Sequence, residues 1–388
     1  MGHVNPTLAL GGELLHRGHD VAWISLDPSL ESRLPFGGRL LTVRYETNED
    51  KRHREEEDGY YLKSIEQKNV QGAESIKFLF EDVLIPMNRY MYVGIDKVLD
   101  AWRPDVLIND HQLFAGAIAA CRKKIPYATS VTAPAALDTQ WELPGIFEWE
   151  NKKIVALQQE LGLEGPDSVA CSDSAALVFT SRELFGDRPL PEHYRLIGPV
   201  IHRRQTQESF PWDKFLRAGD RPRILVSIGT TFDHAYKKGF FVRVAEALGN
   251  QPLTAVVVSE QGLLDQWTEN FIVRERVPQL DLLPHLDTVV CHGGHNTVCE
   301  SLLFGIPLVV IPIAYDQSHV ASQVTRAGCG LRLNFRRFKA ADLRAAVWSA
   351  IREEPYRQAA TRIRHSFQQA GGVEAAAAIL EDLHAKQN

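Results

Sequence analysis

Apolar residues fall at mixed helical spacing in the opening segment, PTLALGGELLHR, where Leu8, Leu10, Leu14 and Leu15 precede the stop signal Gly18. This predicts a helix over residues 6–17, followed by a strand over 20–25 (DVAWIS). A second apolar run, 105–108 (DVLI), ends at the polar pair Asn109 and Asp110 before a helical stretch over 114–122. Further short strands are predicted over 127–131, 176–180 and 196–200, so the first half reads as a parallel sheet covered by helices. Between 201 and 223 the pattern dissolves into HRRQTQESFPWDKFLRAGDRPR, which has prolines and no sustained apolar period, and the domain linker is placed there. Strand and helix alternation restarts at ILVSIGT (224–230). It continues with a helix over 240–248 and strands over 253–258 and 287–291, which predicts a second doubly wound domain. A strong helix over 373–384 follows the break at Gly371 and Gly372.

Length and composition agree with two cores: the chain has 388 residues, of which 44% are hydrophobic. A formal net charge of -6 gives no electrostatic reason to expect a nucleic-acid partner. Five cysteines, with no CxxC spacing, suggest neither a zinc knuckle nor a disulfide framework. No run approaches the roughly 18 to 20 apolar residues of a membrane span, and no leader pattern opens the chain. The expectation is a soluble cytoplasmic protein without stable membrane insertion, a monomer or homodimer. The charge run KRHREEED (51–58) reads as a solvated loop.

The chemistry concentrates in residues 289–312, VVCHGGHNTVCESLLFGIPLVVIP. These read as strand, Gly-rich turn, helix and strand, with Gly305 and Pro307 ending the helix. Gly293 and Gly294 remove side chains where a ligand must approach backbone, and the helix that follows offers amide N–H groups and a positive dipole end to a diphosphate. His292 adds a hydrogen bond or a positive charge. Glu300 has a second reading, because Thr297-Val-Cys-Glu300 also fits a capping box that needs no ligand. Asp316 and Gln317 are placed at a strand end, either in solvent or on a ligand.

From Val277-Pro-Gln279 through HGGHNTVCESLLFGIPLVVIP to Asp316 and Gln317, the segment resembles the donor-binding signature of the family 1 glycosyltransferases, of the bacterial macrolide and natural-product type. The resemblance implies a GT-B fold, an α/β architecture of two Rossmann-like doubly wound domains facing each other across a cleft. Residues 1–201 would bind acceptor, 202–222 link, 223–370 bind the nucleotide sugar, and 371–388 form a helix near the junction. It also implies that His292 touches the donor phosphate, that Gly294, His295, Asn296 and Thr297 cradle the diphosphate, and that Glu300 holds ribose hydroxyls. By the same resemblance Gln279 lies beside the nucleoside, Asp316 and Gln317 meet the sugar, and the turn with Ser227, Gly229, Thr230 and Thr231 faces the donor. At His295 a simple backbone-turn role competes with ligand contact.

Transfer of a sugar to a hydroxyl needs a base with a pKa near neutrality. His3, in GHVNP ahead of the first helix, is such a residue, and GHVNPTLALGGELLHRGHDV is similar to the family's N-terminal signature, whose histidine is the general base. Asp110 is the carboxylate expected to fix its tautomer, His111 is an alternative base, and a plain helix-capping role competes for Asp110. His19 is assigned a structural place. Relatives carry an apolar strand ahead of GHxxP whereas here Met1 precedes it directly, which predicts exposed neighbouring strands, an unseated His3 and an incorrect start site.

The reaction expected by resemblance is inverting, metal-independent transfer, with no cofactor beyond the nucleotide-sugar co-substrate. UDP-glucose is preferred over a TDP-sugar, and the acceptor is a small hydrophobic natural product. Tyr60, Tyr61, Phe78, Phe80, Tyr90, Tyr92, Trp141, Phe147 and Trp149 are either acceptor-pocket or core residues. A nucleotide-sugar epimerase and a non-catalytic partner subunit are the alternatives.

Overall fold

The computed structural model describes residues 3–43, 73–201, 209–217, 219–229, 234–260, 262–314 and 316–386. The charge run 51–58, Tyr60, Tyr61, Thr230, Thr231 and part of the expected linker lie outside them. The chain forms two compact units. The first comprises Met1–Thr180, Arg188–His202 and Gln369–Asn388, and the second Ser181–Asp187 and Arg203–Gln368.

In the second unit β7 (Arg223–Ser227), β8 (Thr254–Val258), β9 (Phe271–Arg274), β10 (Thr288–Cys291), β11 (Leu308–Val310) and β12 (Gly330–Arg332) build one parallel sheet, ordered β12-β11-β10-β7-β8-β9. Its strands are near-continuous apolar runs because both faces are covered. Ile224, Val226, Val257, Val290 and Val309 pack under Phe240, Phe241, Val244 and Leu248 of the His234–Leu248 helix, and under Leu343 and Val347. Strand order reverses between β7 and β10, the place where open α/β sheets gather ligands at their carboxyl ends.

The first unit has the same alternation but a divided sheet. Among the described residues β1 (Ala22–Ser25) pairs only with β2 (Arg39–Thr42), while β3 (Leu107–Asp110), β4 (Tyr127–Val131), β5 (Ala176–Val178) and β6 (Tyr194–Leu196) form a separate parallel sheet in that order. The opening helix Val4–His16 spans the division. Its Leu8 packs with Trp23 of β1 and with Leu30, while Leu10 and Leu14 pack with Ala128, Leu177 and Ile108 of the larger sheet. Among the described residues β1 and β3 each have one ladder side unpaired.

The strand expected over 196–200 ends at Leu196, since Gly198 has φ 77° and Pro199 lacks a ladder donor. The last helix, Gly372–Ala385, belongs to the first unit. Ala376, Ala377 and Leu380 join the core of Leu10 and Leu14, and Glu381 meets Arg17 and His19 at 2.9 Å each. His19 thus has the structural place assigned to it. Among the described residues no helix is long and apolar enough to cross a membrane.

Candidate active site

Two clusters of polar groups stand at strand ends, one in each unit. In the second unit β10 runs buried to Cys291 and opens into His292, Gly293 and Gly294, after which the helix His295–Leu303 begins. Gly293 has φ 90°, and a Cβ on it would lie 2.9 Å from Val310. A Cβ on Gly294 would lie 2.7 Å from His292 Nε2, and one on Gly229, at the end of β7, 3.0 Å from His292 Cε1. The glycines thus clear a seat for the imidazole at the reversal between β7 and β10.

His292 takes a hydrogen bond with the backbone of Ser227, the register partner of Cys291, but burial outweighs it and lowers the imidazole to about 4. The positive charge allowed for in the sequence is therefore absent near neutrality, and the ring acts there as a neutral hydrogen-bonding group.

The helix is capped by Gly294 with no side-chain bond, so its first-turn amides are not capped by a side chain. Thr297 lies inside this helix, and its carbonyl accepts from Ser301 Oγ at 2.7 Å. The capping-box reading of Glu300 is thereby overturned, because the cap residue is Gly294. Glu300 instead accepts from Gln279 Nε2 at 2.5 Å, which brings together two residues 21 positions apart in the chain. His295 is buried with Nε2 3.4 Å from Cys299 Sγ, while Asn296 and Thr297 are half-buried in the same turn. Asp316 precedes the helix Gln317–Arg326 without a side-chain cap bond. Gln317 is buried, not solvent-exposed, and its Oε1 accepts from the amides of Ile313 (2.9 Å) and Ala314 (3.1 Å). Its carbonyl therefore braces the loop after β11.

In the first unit His3 stands at the N-cap of the opening helix and Asp110 at the end of β3, and they meet. His3 Nδ1 lies 3.0 Å from both carboxylate oxygens. The predicted unseating of His3 does not occur, because side chains rather than a preceding strand hold the ring. The Thr132 hydroxyl, just past β4, donates to Asp110 Oδ2 at 2.9 Å, and its oxygen is 2.7 Å from His3 Nδ1. His111 stacks on His3 with ring centroids 5.4 Å apart and planes within 13°. Burial opposes the charge on Asp110, but His111, the hydrogen bond from His3 and the Gln112 amide overcome it and hold the carboxyl at about 2. An ionised Asp110 accepts a hydrogen bond from His3 Nδ1–H, and that tautomer of the neutral ring places the imidazole lone pair on Nε2.

His111 is less suited to be the base. Burial lowers its pKa, its Nε2 is buried without a hydrogen-bond partner, and its Nδ1 faces the Ser130 carbonyl at 3.3 Å. His3, Asp110 and His111 place potential metal-ligand atoms within 4.8 Å of one another, but donation from His111 Nδ1 to Ser130 spends that lone-pair position. Thr132 was not singled out in the sequence. The signal for it is its place: one residue beyond the end of a strand adjacent to β3, where Asp110 pairs with Ser130.

The chain is 27% identical over 396 residues to the NDP-glycosyltransferase YjiC of Bacillus subtilis (strain 168), covering 98% of this chain and 94% of that protein. It is also 27% identical to the demethyllactenocin mycarosyltransferase of Streptomyces fradiae, over 98% of this chain and 84% of the relative. The crystal structure of CalG4, the calicheamicin glycosyltransferase, superposes with a TM-score of 0.73 at 21% identity, covering 98% of this chain and 95% of that one, which shows the GT-B fold. Residues 174–369 match the family described as UDP-glucoronosyl and UDP-glucosyl transferase, and the chain, a glycosyltransferase, belongs to that family.

Proposed function

We propose that the protein transfers a sugar, glucose from UDP-glucose, to a hydroxyl of a small hydrophobic natural product, with inversion and without a metal. The observation that carries this reading is the His3–Asp110 contact at 3.0 Å, in which an ionised carboxylate accepts from Nδ1–H and directs the lone pair of the neutral ring to Nε2. The acceptor oxygen attacks the anomeric carbon, its proton passes to His3 Nε2, the bond from that carbon to the diphosphate oxygen breaks, and the nucleoside diphosphate leaves. Asp110 stabilises the imidazolium that results.

The donor diphosphate rests on the first-turn amides of the His295–Leu303 helix, beside Gly294, Asn296, Thr297 and the ring of His292. Those amides and the helix dipole neutralise the leaving group without requiring a metal ion. Glu300 and Gln279, already hydrogen-bonded to each other, meet the ribose and the nucleoside, and Asp316 and Gln317 meet the sugar. Ser227 and Gly229 form the β7 side of the same seat. The demethyllactenocin mycarosyltransferase, named for transfer to a natural product, supports this acceptor class.

Replacing His3 by Gln should lower kcat by about 10²- to 10⁴-fold while UDP affinity stays within twofold of the parent. Glu300→Ala should do the reverse, weakening UDP chiefly. Turnover by His3→Gln at the parental rate would end the proposal.

A further inference from the structure

The helix Ile85–Trp102 buries one stripe of residues, and among Met91, Tyr92, Ile95 and Leu99 on that stripe stands an amide, Asn88. Asparagine is a poor helix former and a polar group that is unfavourable to bury, yet Asn88 has no exposed surface. Its polar atoms all engage backbone. Nδ2 donates to the Leu84 carbonyl one turn back and to the Gln112 carbonyl, each at 2.9 Å, and Oδ1 accepts from the Ala115 amide at 2.8 Å. The bond to Leu84 is local to the helix. The other two reach 24 and 27 positions along the chain, to the turn that joins β3 to the helix Phe114–Lys123.

That turn begins at Asp110. The Asp110 carbonyl accepts from the Leu113 amide at 2.8 Å, and Oδ1 accepts from the Gln112 amide at 3.0 Å. The helix that follows has Leu113 at its cap, a residue whose side chain can accept nothing, and Ala115 is its second residue, whose amide a cap side chain ordinarily takes. Asn88 makes that bond from a different helix. Asp110 therefore does not cap the helix, and its carboxylate faces His3 and Thr132 instead. Gln112, whose amide orients this carboxylate, is held at its carbonyl by the same Asn88 side chain.

We propose that Asn88 is a positioning residue for the transfer reaction: it fixes the turn that aims the Asp110 carboxylate at Nδ1 of His3. The inference rests on the glycosyl-transfer reading for the reaction, but its effect on His3 is measurable without turnover. An amide that only tied two helices together would support stability and leave the His3 tautomer unchanged. The full chain is labelled with ¹⁵N in its histidine rings, the His3 signals are identified by their loss in His3→Gln, and their shifts are read at a pH where the ring is neutral.

The parent should show the Nδ1–H tautomer, and Asn88→Leu a mixture of both tautomers. In the same variant kcat should fall about tenfold with UDP affinity unchanged, and in an Asp110→Asn background the same substitution should cause no further fall. Asn88→Ser, which cannot reach residues 112 and 115 and adds no bulk, should behave alike and serves if the Leu variant folds poorly. A parental tautomer in the folded variant, or an equal fall in the Asp110→Asn background, overturns the assignment. If the parent transfers no sugar, the transferase reading fails, while the tautomer still decides the part played by Asn88.

Discussion

The two units solve the same problem with different means. In the second, β7 and β10 are adjacent in a continuous six-stranded sheet, so the backbone itself carries His292, Gly229 and Ser227 to one point. In the first, no described strand lies between β1 and β3, and the polar centre is assembled by side chains: Asp110, Thr132 and stacked His111 around His3. A group at a strand end in a paired sheet is positioned by its ladder. A group at a helix start, such as His3, depends on its immediate contacts and should be more sensitive to losing one.

Asp110→Asn is therefore expected to have the largest effect. It removes the charge that fixes the His3 tautomer and should lower kcat by about 10²- to 10⁴-fold with UDP affinity unchanged, read by single-turnover kinetics. Thr132→Val, which removes one hydrogen bond to the same carboxylate, should cost about tenfold, and Thr132→Ser should restore the rate. A kcat unchanged by Asp110→Asn would show that His3 is positioned without its neighbours.

The buried His292 gives the second unit its own signature. Its folded-state pKa, about 4, is depressed from 6.5, so the unfolded chain binds the proton more readily between those values. Stability is therefore full above pH 6.5 and is lost as pH falls toward 4, by about 3 kcal/mol over the window. Denaturation of the second unit at pH 7 and pH 4.5 checks this, and His292→Asn should flatten the slope. His111, also lowered by burial, should add a loss of the same sign in the first unit.

The smallest effect concerns the sheets themselves. Backbone amides of β1, whose sheet has two strands among the described residues, should exchange with deuterium faster than those of β7, which has a partner on each side. Equal protection would mean that the opening helix compensates fully for the division.

Legibility in the sequence followed how local each feature is. The strand–turn–helix–strand over 289–312 was readable because its apolar runs, glycines and breaker are contiguous, and β10, the helix and β11 stand where expected. The expectation that His3 would be unseated was misjudged, because the contacts that hold the ring come from residues 107 and 129 positions away. Thr132 was overlooked for the same reason: only the register of β3 against β4 brings it to Asp110. The capping-box reading at Thr297 failed over a matter of three residues, since the extended backbone of Gly294, with ψ 126°, begins the helix earlier.

The measurement that bears most directly on the account is a crystal structure of the protein with UDP. The account predicts the β-phosphate within hydrogen-bonding distance of the amides of His295–Thr297 and of the His292 ring, with Glu300 on the ribose. Phosphates bound away from the helix that starts at His295 would contradict it.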